Sequence, residues 1–183
     1  MHRPEYVAGV AQRLANLDHI RQWPEAVRAR LHQSHRELLA NAARPVLDLA
    51  DPEARELLTA LVTGRARPTE TYNSVVSVAA LPLLPDAVAA VRAMKSLLAL
   101  RGDVLFDEPI GRPGTFGLVL GTIEASARSV RGFHLNRDIV GALRAGGLEV
   151  ISVRRSTVAT PLLPLRRFAR GAARHYEDFR GRR

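Results

Sequence analysis

The chain has 183 residues, of which 46% are apolar, enough for one hydrophobic core and hardly two, so a single domain is expected. It contains no cysteine, which excludes disulfides, thiolate metal sites and cysteine nucleophiles and fits a reducing cytoplasm. Its 27 basic against 18 acidic residues give a net charge of +9, and Lys95 is the only lysine, so the surface is arginine-rich and drawn to phosphates and anionic lipids.

The opening Met1-His2-Arg3-Pro4-Glu5 lacks the basic-then-apolar pattern of an export signal. Pro82, Pro85 and Arg92 break the longest apolar stretches well short of a membrane span. A cytoplasmic protein is expected, with peripheral membrane contact left open by its basic end.

Apolar residues at Val7, Val10, Leu14 and Leu17, and a repeat of the pattern from Ala26 to Leu39, predict two opening helices, with Pro24 at the start of the second. Arg44 to Leu49 reads as a short buried strand. Asp51-Pro52-Glu53 then supplies the cap, N1 proline and early acid of a helix over Glu53 to Leu61. Asn73 to Leu81 is a β-branched apolar run, as an interior parallel strand requires.

Asp86 caps a helix from Ala87 to Leu100 that Gly102 closes, and Val104 to Pro109 is the next strand. Gly111 to Gly117 is a loop before a helix over Leu118 to Val130. Asn136 is placed to cap a helix from Arg137 to Ala145, ended by Gly146-Gly147, and Leu148 to Arg155 alternates as a strand. Seven arginines, Arg166, Arg167, Arg170, Arg174, Arg180, Arg182 and Arg183, crowd the last eighteen residues. That segment reads either as a basic amphipathic helix or as a last strand and tail.

The alternation of strands and helices predicts an α/β fold with an open, mainly parallel Rossmann-like sheet and helices on both faces. Within the one domain, residues 1–43 are N-terminal helices, 44–160 the α/β core and 161–183 the basic C-terminal segment. No Gly-x-Ser-x-Gly elbow, Walker loop, His-Glu-x-x-His or Gly-x-Gly-x-x-Gly is present. His2, His19, His32, His35 and His175 are scattered, and His32 and His35 share a helix face without further ligands, so no metal site is expected.

The order strand, capped turn, helix, strand ending in Ser or Ala, helix, Arg-Gly-Asp and strand ending in Glu resembles the class I S-adenosylmethionine-dependent methyltransferases. The matching segments are Leu100-Arg101-Gly102-Asp103-Val104-Leu105-Phe106-Asp107-Glu108-Pro109, Gly132-Phe133-His134-Leu135-Asn136-Arg137-Asp138 and Ala145-Gly146-Gly147-Leu148-Glu149-Val150. They are most similar to the branch related to ubiquinone/menaquinone and phospholipid methyltransferases.

The resemblance implies S-adenosylmethionine as cofactor and gives roles to particular residues. Asp48 stands for the acid that fixes the cofactor turn, Ala50 and Asp51 lie in that turn, Asn73 stands where the family commonly has aspartate, and Ser77 lies in the next strand. Glu108 matches an active-site acid, and His134 is a candidate general base or substrate contact. Yet Ala50, Asp51, Pro52, Glu53 and Ala54 occupy the glycine-rich turn, whose glycines let the backbone approach the cofactor's methionine part.

The sixteen residues between Ala54 and Thr71 leave no room for the family's second and third strands or its ribose-binding acid. The sheet is therefore expected to lack two strands at one edge and to leave Val46 to Leu49 at an edge open to a second copy or a related protein. The resemblance further implies an antiparallel last strand. Three functions follow: a non-catalytic methyltransferase-like protein that binds a partner; an active methyltransferase for a small lipophilic or quinone-like acceptor; and a module that binds nucleic acid or anionic lipid through the arginine-rich end.

Overall fold

The computed structural model describes residues 17–111, 134–135, 137–162 and 165–175. Their elements are α1 (Glu25–Asn41), β1 (Val46–Asp48), α2 (Pro52–Val62), β2 (Tyr72–Val78), α3 (Ala87–Leu97), β3 (Leu98–Pro109), α4 (Ile139–Ala145), β4 (Glu149–Thr157) and β5 (Arg167–Arg174). Short 3-10 turns lie at Asp18–Ile20 and Leu81–Leu83. The expected helix before Leu17, the one over Leu118 to Val130, most of the Gly111 to Gly117 loop and the chain after His175 fall outside the described residues.

The five strands form one sheet in the order β1-β2-β3-β5-β4. β1, β2 and β3 are parallel, and β5 is antiparallel to both β3 and β4. The chain after α2 returns directly to β2 beside β1, so among the described residues the two strands for which sixteen residues left no room are missing and β1 is an edge. The basic C-terminal segment, read as helix or strand, is a strand over Arg167–Arg174, inserted between β3 and β4.

Strand alternation sorts the side chains onto two faces. On one, Leu47, Val75, Val104 and Phe106 meet Ala54 and Leu58 of α2, Ala90, Val91, Met94 and Leu97 of α3, and Ile139 and Leu143 of α4. On the other, Val76, Val78 and Phe168 meet Val27, Leu31 and Leu38 of α1, with Leu17 and Ile20 before it. The steps β1 to β2 and β2 to β3 run the same way across the sheet, and right-handed crossovers place their helices, α2 and α3, on the same face.

Several boundaries differ from the expectation. α3 stops at Leu97, and Gly102 lies inside β3 instead of closing the helix. There Arg101 takes a φ of 65°, and a Cβ on Gly102 would come within 2.9 Å of the Ala99 carbonyl, so glycine serves close packing at an irregular strand start. α4 is capped by Asp138, whose carboxylate accepts from Gly141 N, and begins at Ile139; Asn136 lies outside the described residues. β2 ends at Val78 because Ala79, at φ 50°, turns the chain into the 3-10 turn. β4 is an outer strand exposed along most of its length, so its expected alternation of burial is absent.

Candidate functional site at the carboxyl ends of the strands

Asp107 and Glu108 are consecutive at the end of β3 and are both fully buried, so the pleat sends them to opposite faces. Asp107 turns to the α1 side. Its oxygens accept from Arg30 Nη2 at 3.0 Å and Ser34 Oγ at 2.6 Å. Burial pushes its carboxyl above the usual range, against the pull of Arg30 and Ser34. Arg30 also donates to Ser156 Oγ at 2.9 Å and lies 4.4 Å over the Phe168 ring.

Glu108 turns to the other side. Its Oε1 accepts from Ser77 Oγ at 2.6 Å, Ala80 N at 3.2 Å and Leu81 N at 3.4 Å, whereas Oε2 is buried without a hydrogen-bond partner. Burial raises its pKa to about 8, outweighing the Ser77 hydroxyl and the two amides, so it is a neutral acid at pH 7. With Oε1 accepting three bonds, the acid proton belongs on Oε2.

The turn over Glu108 is held from outside. Arg137 donates to the carbonyls of Leu81, Leu84 and Pro85, and His134 N donates to Pro82 O at 2.7 Å. The backbone of His134 is thus tied to the turn that covers Glu108, while the residue itself is exposed. Partial burial and the neighbouring Arg137 lower its pKa.

At the end of β1 the turn from Leu49 to Ala54 is closed on itself. Asp48 Oδ1 accepts from Ala50 N at 3.0 Å, its carbonyl from Asp51 N at 3.0 Å, and Leu49 N donates to Val76 O at 2.9 Å. Asp51 caps α2 by accepting from Glu53 N, as the sequence indicated. Arg55, one turn into α2, donates through Nη1 to the carbonyls of Leu49 at 2.6 Å and Ala50 at 2.8 Å. No residue from Leu49 to Ala54 has a positive φ, so this turn needs no glycine.

Asp48 Oδ2 also pairs with His35 Nε2 at 2.8 Å. Beside it, His19 Nε2 donates to Val78 O at 3.0 Å, and burial together with the Arg55 charge lowers the His19 pKa to about 4. Burial likewise lowers Arg55, only partly offset by Asp51, Asp48 and Asp18. Sequence reasoning missed His19, His35 and Arg55. The readable signal for Arg55 was a turn without glycine whose carbonyls needed a donor.

The expected site residues therefore fall into separate places. Asp48, Ala50 and Asp51 sit together at the β1 turn, with Asp48 on the α1 side of the sheet, while Ser77 and Glu108 are bonded to each other on the opposite side. Asn73 joins neither group: it is the second residue of β2, at the far end of the sheet, where its amide donates to Arg44 O and its N–H to Pro45 O. Among the described residues no group of three or more His, Asp or Glu side chains is placed to hold a metal ion.

The turn does not fit the amino-acid part of a bound S-adenosylmethionine. The N–H groups of Leu49, Ala50, Asp51 and Glu53 are all bonded within the protein, and the carbonyls of Leu49 and Ala50 already accept from the Arg55 cation. Residues 63–71 contain no strand that would present a ribose-binding acid. Open α/β sheets bind ligands in the crevice where the strand order reverses, and the parallel strands β1, β2 and β3 run across this sheet without a reversal.

No protein-family model and no curated protein sequence matches the chain. Solved structures do. The N-methyltransferase NodS from Bradyrhizobium japonicum WM9, in complex with S-adenosyl-L-homocysteine, is similar over 93% of this chain and 98% of its own, with 16% identity and a TM-score of 0.50. A putative methyltransferase from Bacillus halodurans C-125 covers 78% of this chain and 98% of its own, with 13% identity and a TM-score of 0.50. The fold is that of the class I S-adenosylmethionine-dependent methyltransferases.

Proposed function

We propose that this protein is a non-catalytic member of the methyltransferase fold, which has lost the standard cofactor site and serves as a binding or scaffold protein. One observation carries the reading: in the turn that would meet the cofactor, the N–H groups of Leu49, Ala50, Asp51 and Glu53 are bonded within the protein and Arg55 is bonded to two of the carbonyls. The missing strands and the absence of an order reversal among the parallel strands support it. Calorimetric titration with S-adenosylmethionine and S-adenosylhomocysteine tests it. No heat of binding is expected, and stoichiometric binding of either compound would overturn the proposal.

A second reading, an active methyltransferase for a small lipophilic or quinone-like acceptor, draws on Glu108. A buried neutral acid with one unpartnered oxygen is a proton donor waiting for an acceptor. His134 is tied through its backbone to the turn that covers Glu108. Transfer of label from S-adenosylmethionine to such an acceptor, lost in Glu108→Gln, would favour this reading over the first.

Polyanion binding has less to draw on. Arg166, Arg170 and Arg174 donate within the protein, to Thr160 O, Glu37 and Asp103. Binding to nucleic acid or anionic vesicles that weakens steeply with salt would revive it.

A further inference from the structure

Among the described residues the sheet has two outer strands, and they differ in kind. β1 is three residues long, and shortness is one of the ways natural sheets avoid unwanted pairing. β4 runs for nine residues, is exposed over most of them, and carries Ile151 and Val153, which are 50% and 37% exposed. It has the length, the β-branched side chains and the open edge of a pairing strand.

Its register against β5 slips by one residue between Val150 and Ser152, which makes Ile151 the extra residue of a bulge. The slip decides which side chains share a face. Five positions apart, Glu149 and Arg154 would face opposite ways on a regular strand. Here their cross-strand partners are Arg174, bonded to Asp103, and Arg170, bonded to Glu37 of α1, so both lie on the α1 side. In the same way Val150 and Val153, opposite Ala173 and Gly171, share the other side.

We propose that β4 pairs antiparallel with β4 of a second copy of this chain, about a two-fold axis at Ser152. In an antiparallel pair, directly opposite residues lie on the same face, and the bulge lets this strand satisfy that rule against itself. Glu149 then faces Arg154 of the partner subunit, and Val150 faces Val153 of the partner subunit. By symmetry each contact occurs twice. Within one copy Arg154 lies across from Arg170, a like charge already bonded to Glu37 at 2.6 Å, so a carboxylate from outside improves its surroundings. The two five-stranded sheets would join into one continuous sheet.

Sedimentation velocity over a range of protein concentrations tests the pairing, with circular dichroism to check that each variant is folded. The wild type is expected to form a dimer at micromolar concentration. Glu149→Arg and Arg154→Glu should each weaken it by roughly tenfold or more, because each turns two attractive cross-strand pairs into repulsive ones. The double variant E149R/R154E should restore it. A wild type that stays monomeric at hundreds of micromolar, or a dimer that neither single substitution affects, would overturn the proposal. So would a monomer that binds poly-L-glutamate and loses it in Arg154→Glu, which would give the edge to an acidic extended segment instead.

Discussion

Glu108 enters the folded protein as a neutral acid, and His19 enters it as a neutral base. Folding raises Glu108 from 4.5 to about 8, so the folded state holds a proton that the unfolded chain releases, and stability falls as pH rises from 4.5 through 8. Folding lowers His19 from 6.5 to about 4, so its contribution is complete above 6.5 and is lost as pH falls toward 4. Between 4.5 and 6.5 the two slopes oppose each other. Above 6.5 only Glu108 acts, and it removes roughly 2 kcal/mol by pH 8. Urea unfolding of the wild type should therefore show a nearly flat stability from these groups up to 6.5 and a decline beyond it. Glu108→Gln should abolish the decline and leave a rise between 4 and 6.5. Equal slopes above 6.5 in both proteins would remove the neutral-acid assignment.

At the scale of elements, β5 runs too close to β4 at Gly171 to admit a side chain there. A Cβ on Gly171 would lie 2.0 Å from the Ser152 carbonyl oxygen and 3.1 Å from the Phe106 ring. The first obstacle is backbone, at the bulge of β4, and cannot rotate away. Gly171→Ala is expected to cost about 3 kcal/mol, or to prevent folding. A thermal midpoint equal to that of the wild type would show that β4 can shift to make room. The sequence places Gly171 in an arginine-rich stretch and gives no hint of this constraint, because the obstructing carbonyl comes from another strand. The same limit applies to β4 itself. Its composition is that of a strand, but neither the bulge nor the exposure of both faces is readable without knowing that it lies outermost.

At the scale of the whole molecule, Arg30 ties α1 to two strands through Asp107 and Ser156 and stacks on Phe168 of β5. Arg30→Met should destabilise the protein by roughly 3 kcal/mol, since it leaves the fully buried Asp107 without its counter-charge. Adding Asp107→Asn should recover part of that loss, and the double-mutant cycle in urea measures how much. Additive effects would mean that the two groups do not act as a pair.

The succession of strands and helices and the Asp51 and Asp86 caps were legible along the chain, because periodicity and capping chemistry are properties of neighbouring residues. The family resemblance, with only sixteen residues between Ala54 and Thr71, supplied the loss of two strands and the antiparallel last strand, whereas the residues alone left the C-terminal segment open between helix and strand. It also brought Glu108 and Ser77 to attention. The three-dimensional structure was needed to show that the expected site is divided by the sheet, with Asp48 bonded to His35 on one side and Glu108 to Ser77 on the other, and that Asn73 lies at the far end. It alone found Arg55 closing the β1 turn and Arg30 holding Asp107. The reason is physical: what a buried polar group becomes depends on which donors, acceptors and charges the fold sets against it. Most of those partners come from elements distant in sequence.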